Sequence, residues 1–132
     1  MRRRCATALL VLAAVAASGC GSVDFPNEPR PAAEVELSAR IDDSRVVVTP
    51  KKVGAGIATI TISNQSSDDV SLNFNGPSDR KTAPIGAGGV TAFKLDLAQG
   101  DYQVEPDVTS IATGTLNVGA PRPTAQNDLL LP

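Results

Sequence analysis

Ile57-Ala58-Thr59-Ile60-Thr61-Ile62-Ser63 decides the architecture of this chain. Ala58, Ile60 and Ile62 fall on one side and Thr59 and Thr61 on the other, the period of a half-buried β-strand. The same alternation continues on either side. Upstream, Val35, Leu37, Ala39 and Ile41 alternate with Glu34, Glu36, Ser38 and Arg40. Asp42-Asp43-Ser44 supplies a turn, Arg45 to Thr49 is a β-branched run that Pro50 ends, and Gly54-Ala55-Gly56 makes a further break. Downstream, Val70, Leu72 and Phe74 alternate with Ser71, Asn73 and Asn75 after a polar turn at Asn64 to Asp69.

The remaining segments read the same way. A short strand around Lys81 to Ile85 precedes Gly86-Ala87-Gly88-Gly89. Val90 to Leu95 sets Thr91, Phe93 and Leu95 on one side, Tyr102 and Val104 open another strand after a turn at Asp96 to Asp101, and Thr115 to Val118 is the last. No segment of ten or more residues after Cys20 carries a helical apolar stripe. Seven or eight short strands with turns every 8–12 residues predict an all-β, antiparallel β-sandwich over 33–118. The predicted core is Val35, Leu37, Ile60, Ile62, Leu72, Phe74, Phe93, Leu95, Tyr102 and Leu116. Residues 119–132 read as a tail ending in Leu129-Leu130-Leu131-Pro132, either without fixed structure or an apolar plug that covers an edge strand or docks on a partner.

The start of the chain has another character. Met1-Arg2-Arg3-Arg4 precedes an apolar stretch, Ala6 to Ala17, and then Ala17-Ser18-Gly19-Cys20. Basic n-region, short h-region and small residues before a cleavage point are the marks of a secretory signal. The stretch is too short for a membrane span, which needs about 20 residues. Ala17-Ser18-Gly19-Cys20 resembles the lipobox of bacterial lipoproteins. The resemblance implies export by the general secretory route and cleavage before Cys20. It also implies a diacylglycerol thioether on that cysteine, often with an N-acyl chain such as palmitate. The expected organisation is therefore 1–19 signal peptide, 20–32 flexible tether with three prolines, 33–118 domain and 119–132 tail. The expected location is the extracytoplasmic face of the cell membrane. Stable attachment requires two or three acyl chains.

Composition narrows the function. The chain has 12 basic and 14 acidic residues and no histidine. Loss of 1–19 removes three arginines and no acid, leaving a net charge of −5 on 113 residues. Such a body lacks the clustered Lys and Arg that nucleic acid or a polybasic membrane contact requires, so no nucleic-acid partner is expected. Of the two cysteines, Cys5 lies in the signal and Cys20 is the acylation site, so no disulfide can form within the mature domain.

The strand layout resembles the cupredoxin-like family. The resemblance rests on Val46-Val47-Val48-Thr49-Pro50, then Gly56, then Ala58 through Asn64, on Ile85-Gly86-Ala87-Gly88-Gly89, on Leu97-Ala98-Gln99-Gly100-Asp101-Tyr102, and on Gly114-Thr115-Leu116-Asn117-Val118. It covers about residues 45–118 and implies a cupredoxin-like sandwich; an immunoglobulin-like sandwich is the alternative. Type-1 copper sites need two histidines, a cysteine thiolate and usually a weak axial methionine. The family's first histidine falls near Val70-Ser71-Leu72, where Ser71 stands. Its cysteine falls near Pro106, and Asp107 to Thr113 holds neither histidine nor methionine. The expectation is a scaffold with no metal site and no cofactor.

Other chemistry is sparse. Asp42-Asp43 and Asp68-Asp69 sit in turns, where aspartate caps backbone amides. Neither loop matches the twelve-residue calcium pattern. Glu105 and Asp107 flank Pro106 as loop charges. Lys51, Lys52, Lys81 and Lys94 have no serine-lysine motif beside them. Gly86 to Gly89 precedes a β run rather than the helix of a phosphate loop, and Tyr102 reads as a structural tyrosine corner. No catalytic residue is predicted. The site residue is Cys20, as a lipidation site. The expected partners are the membrane, through that lipid, and an envelope protein. The expected function is a non-enzymatic binding or interaction domain, with an accessory role in metal handling or redox delivery as the alternative.

Overall fold

The computed structural model describes residues 30–124. Cys20, the signal and most of the tether lie outside these residues, as does the Leu129–Pro132 stretch. Eight strands follow in order: β1 Val35–Ile41, β2 Val46–Thr49, β3 Lys52–Asn64, β4 Leu72–Asn75, β5 Arg80–Lys81, β6 Val90–Leu97, β7 Gly100–Pro106 and β8 Gly114–Pro121. In one sheet, β1 lies between β2 and β3, and β6 lies on the other side of β3. In the second, the first residues of β3 pair with β8, followed by β7, β4 and β5. The all-β sandwich is as expected. Not all its pairings are antiparallel, because β1 with β3 and β3 with β8 run parallel. Immunoglobulin-like sandwiches are built from antiparallel sheets, so the mixed pairing counts against that alternative.

Alternation places the core. On β1 Leu37, Ala39 and Ile41 point inward, and on β3 Ala58, Ile60 and Ile62 do so. They meet Leu72, Phe74, Tyr102, Val104, Leu116 and Val118 from the second sheet. Of the predicted core, Leu37, Ile60, Ile62, Leu72, Phe74, Tyr102 and Leu116 are buried, while Val35, Phe93 and Leu95 pack against the core partly exposed. Phe93 and Leu95 lie on β6, whose only strand partner among the described residues is β3. Edge position, not a wrong face, leaves them partly open. Phe93 still stacks edge-on against Phe74, with ring centroids 5.5 Å apart.

Three boundaries differ from those expected. The residues Gly54-Ala55-Gly56 do not interrupt hydrogen bonding; they lie inside β3 and form a corner between the sheets. The segment Lys52 to Gly54 runs parallel to β8, whereas Ala58 to Asn64 returns beside β1. Gly56 has φ +128°, which disfavours any side chain. The strand expected around Lys81 to Ile85 shrinks to Arg80–Lys81 plus a single bridge, Val70 with Ile85. The third change concerns the tail, since β8 continues to Pro121 and Thr124 bridges to Ala32.

Arg122 explains the last change. Its guanidinium donates to the carbonyls of Ala33 (2.5 Å), Ile57 (2.6 Å) and Ala55 (3.2 Å), and its own amide donates to Ala55 (3.1 Å). Arg122 supplies side-chain donors to two carbonyls at the corner, Ala55 and Ile57, and to Ala33 just before β1. A Cβ on Gly54 would lie 2.6 Å from Arg122 Cγ, and one on Gly56 2.8 Å from its Nη2. The two glycines therefore make room for this side chain.

Two outcomes follow for urea or thermal unfolding followed by circular dichroism. Phe74→Ala removes a fully buried ring and costs about 3–5 kcal/mol. Arg122→Ala removes three side-chain hydrogen bonds, leaves Ala55 the bond from the backbone amide, and costs about 1 kcal/mol, whereas a chain ending its ordered part at Val118 would tolerate it freely.

Candidate functional site

The pairings sort the connections between two ends of the sandwich. The turns after β1, β3, β5 and β7 lie at one end, called distal here. The corner, the turns after β4 and β6, and both ends of the described chain lie at the other, the proximal end. The cupredoxin-like resemblance directs attention to the distal end, where Ser71 and Pro106 are expected at the metal-ligand positions.

The structure brings these positions together. Leu72 lies opposite Pro106 in the β4–β7 ladder. One residue beyond, the Asp107 carboxylate accepts from the Ser71 amide at 2.9 Å, and the Asp107 amide donates to the Ser71 carbonyl at 3.0 Å. Ser71 is buried. An open recess of about 210 Å³ beside this closure is lined by Ser71, Asn73, Lys81, Glu105, Pro106 and Asp107. Its donors are hydroxyl, amide, carboxylate and amine. One Asp107 oxygen is committed to Ser71, and Glu105 accepts from the Asn75 amide at 2.7 Å. Imidazole and thiolate are absent, so this donor set does not fit type-1 copper. Among the described residues, no three His, Cys, Asp or Glu side chains gather as a metal group.

Asn64 organises the same end. Placed in a polar turn by sequence, it is instead the last residue of β3 and fully buried. Its amide donates to the carbonyls of Asp68 (2.8 Å), Ile85 (2.8 Å) and Gly86 (3.2 Å). Its oxygen accepts from the Ser66 amide at 3.0 Å and hydroxyl at 2.6 Å. One side chain thus ties two loops to the sheet, and a buried amide so fully paired is stabilising rather than costly.

The acidic turns cap. Asp42 accepts from the amides of Ser44 and Arg45, both at 2.9 Å, and from the Ser44 hydroxyl at 2.6 Å. These bonds, the Ser44 hydroxyl first, hold its carboxyl down at about 2. Asp43 accepts from the Ser67 amide and hydroxyl, each at 2.8 Å, and its pKa is lowered for that reason. Asp69 accepts from the Ala87 amide, while Asp68 contributes its backbone carbonyl to Asn64. Gly86 to Gly89 closes a tight turn, with the Gly89 amide donating to Gly86 at 2.8 Å and Gly88 at φ +75°. Tyr102 is a corner residue as expected. Its ring is buried, and its hydroxyl donates to the Ala98 carbonyl and accepts from the Ala98 amide.

A larger open recess, about 340 Å³, lies on the outer face of β7 and β8 among Lys51, Lys52, Asp101, Gln103, Thr115 and Asn117. The Asn117 amide donates to Asp101 at 2.5 Å, and the Asn73 amide to Asn75 at 2.5 Å. This is a hydrogen-bonding surface of amides, a hydroxyl, a carboxylate and two lysines. Lys94, the other lysine considered, reaches Glu34 at 2.8 Å on the outer face of β1, β3 and β6. The lysine, and then the Thr59 hydroxyl, lower the Glu34 pKa.

Sequence reasoning missed Arg122 and the burial of Asn64. A lone arginine between Pro121 and Pro123, and two glycines awaiting a neighbour, were the available signals for the first. For the second, only the asparagine closing an alternating strand pointed to it.

No protein-family model matches the chain, and no curated protein matches it. Solved structures do. Reduced auracyanin from Roseiflexus castenholzii is 12% identical over 67% of this chain and 98% of its own, with a TM-score of 0.45. A multi-copper oxidase from Pseudomonas thermotolerans is 11% identical over 73% of this chain and 31% of its own, with a TM-score of 0.49. A copper-containing nitrite reductase from Thermus scotoductus is 15% identical over 67% and 28%, with a TM-score of 0.44. The chain thus spans about a third of the two enzymes and nearly all of the auracyanin.

The Asp42 turn predicts an acid dependence. Its carboxyl is depressed to about 2 from an ordinary 3.8. The stabilisation is complete above the ordinary value and is lost as pH falls through about 2. Asp43 and Glu34 act in the same direction. The melting temperature should therefore fall between about pH 4 and pH 2, and Asp42→Asn should flatten that slope while lowering stability at neutral pH.

Proposed function

We propose that this chain is a non-enzymatic binding or interaction domain, held by lipid on Cys20 at the extracytoplasmic face of a bacterial cell membrane. It uses a cupredoxin-like scaffold without type-1 copper. The observation that carries the second half is the Ser71–Asp107 closure. A reciprocal backbone and carboxylate pair fills the ground where the resemblance places metal ligands, and the chain has no histidine to put there. The lipobox-like Ala17-Ser18-Gly19-Cys20 supports the first half. Binding is carried by the outer polar faces and the distal loops, surfaces rich in amides, hydroxyls and carboxylates. An envelope protein is the partner class that such a location supplies.

Two measurements test this. In a lipoprotein-competent host, Cys20→Ser should move the protein out of the membrane fraction; retention equal to wild type removes lipid as the anchor. Calorimetric titration of the mature protein with Cu(I) and Cu(II) should give no saturable one-to-one site in the nanomolar range. Its melting temperature should not rise with stoichiometric copper, because a ligand that binds only the native state must stabilise it.

A further inference from the structure

The seam between β2 and the first half of β8 opens into a basic trough. Among the described residues no ladder joins these two strands; β2 pairs with β1, and β8 with β7 and β3. Single backbone bonds close the seam at its two ends. The Val46 amide donates to the Ala112 carbonyl and the Asn117 amide to the Lys51 carbonyl, both at 2.9 Å. Between them lies an open recess of about 160 Å³ whose lining includes Arg45, Lys51 and Thr115. It adjoins the recess of about 340 Å³ on β7 and β8, because Lys51 and Thr115 line both. The trough follows β2, which at four residues is about 13 Å long. Arg45 stands at its distal end, Lys51 and Lys52 at the other. All three are exposed, and none takes part in an ion pair among the described residues. The chain is acidic overall, yet Asp101 is the only carboxylate among the described residues that line either recess, and the Asn117 side chain donates to it.

We propose that this trough receives an acidic, extended segment of a partner protein. Such a contact deepens the proposed function and rests on its binding half. Carboxylates of the segment meet Arg45 and the lysine pair. The arginine presents a planar fork that matches a carboxylate, and the lysines are point charges on long stems. Backbone groups of the segment meet Gln103, Thr115 and Asn117, whose side chains both donate and accept. About four or five extended residues cover the length of β2. A sugar or a nucleotide fits less well, because the trough offers no open ring for stacking. Tyr102, the one aromatic residue in its lining, is 1% exposed. The rest of the acidic body repels an acidic partner, so attraction at this one face also sets the orientation of encounter.

The test is calorimetric titration of the mature protein with hexaglutamate, against hexaglutamine and against hexagalacturonate, a glycan with the same number of carboxylates. Wild type should bind hexaglutamate, more weakly as salt is added, and should not bind hexaglutamine. Lys51→Glu/Lys52→Glu should weaken the binding about tenfold, since two attractions become repulsions. Arg80→Glu/Lys81→Glu makes the same change in net charge on β5, three strands or about 14 Å from β8 in the same sheet, beyond the reach of charge at physiological salt. It should change the affinity less than about twofold. Melting temperatures check that the variants fold; if the lysine pair does not tolerate reversal, Arg45→Glu carries the comparison and should weaken binding severalfold. Equal losses in the two double variants mean that net charge alone acts, and overturn the inference. Equal binding of hexaglutamine, or tighter binding of hexagalacturonate, overturns the assignment to an acidic protein segment. If hexaglutamate does not bind at all, the inference falls while the wider binding role, which does not depend on this trough, is left standing.

Discussion

The fold depends on one corner. A strand shared between two sheets must change direction, and at the change its carbonyls need donors. Arg122 meets that need from the far end of the domain by donating to Ala55 and Ile57, and it also donates to Ala33. Gly54 and Gly56 lack side chains where the arginine crosses them. Because the donor comes from beyond β8 and one acceptor from before β1, the contact closes the chain on itself. The parallel pairings on both sides of β3 follow from it, since the two halves of that strand can align with β1 and β8 only after a reversal.

The distal end is organised by a different device with the same logic. Asn64 occupies a fully buried position and satisfies loop groups from two connections. Asp107 and Ser71 close β4 against β7 beside it. These contacts use the space with backbone and amide hydrogen bonds. A metal at such a place requires imidazole or thiolate ligands held free of other partners. Here Asn64, the Ser71 amide and one Asp107 oxygen are already committed to the protein, which ties the distal loops to the sheets. Fold alone confers no activity.

The two ends differ in what they offer. The proximal end gathers the corner, the arginine clasp and both ends of the described residues. The distal end gathers capped aspartates and glycine turns. Between them, the outer faces of the sheets carry paired amides and carboxylates such as Asn117 with Asp101 and Asn75 with Glu105.

Much of this was legible in one dimension. Alternation is a local property of the strand, so Leu37, Ile60, Ile62, Leu72, Phe74 and Leu116 could be assigned to the core without knowing their neighbours. Asp42 before Ser44 and the tyrosine at 102 announce hydrogen bonds within four residues, whereas Asp43 reaches Ser67, 24 residues away. The lipobox-like segment and the absence of histidine are likewise statements of sequence alone. Tertiary structure decided which strands run parallel, because register and direction depend on partners distant in the chain. It decided that Gly54-Ala55-Gly56 is a hydrogen-bonded corner and not a gap, since its completing side chain lies 65 to 67 residues away. It also decided that Asn64 is buried and that Ser71 meets Asp107 across 36 residues. Side-chain periodicity carries the inside and outside of a strand, but only three-dimensional proximity assigns an arginine near the end of a domain to carbonyls near its beginning.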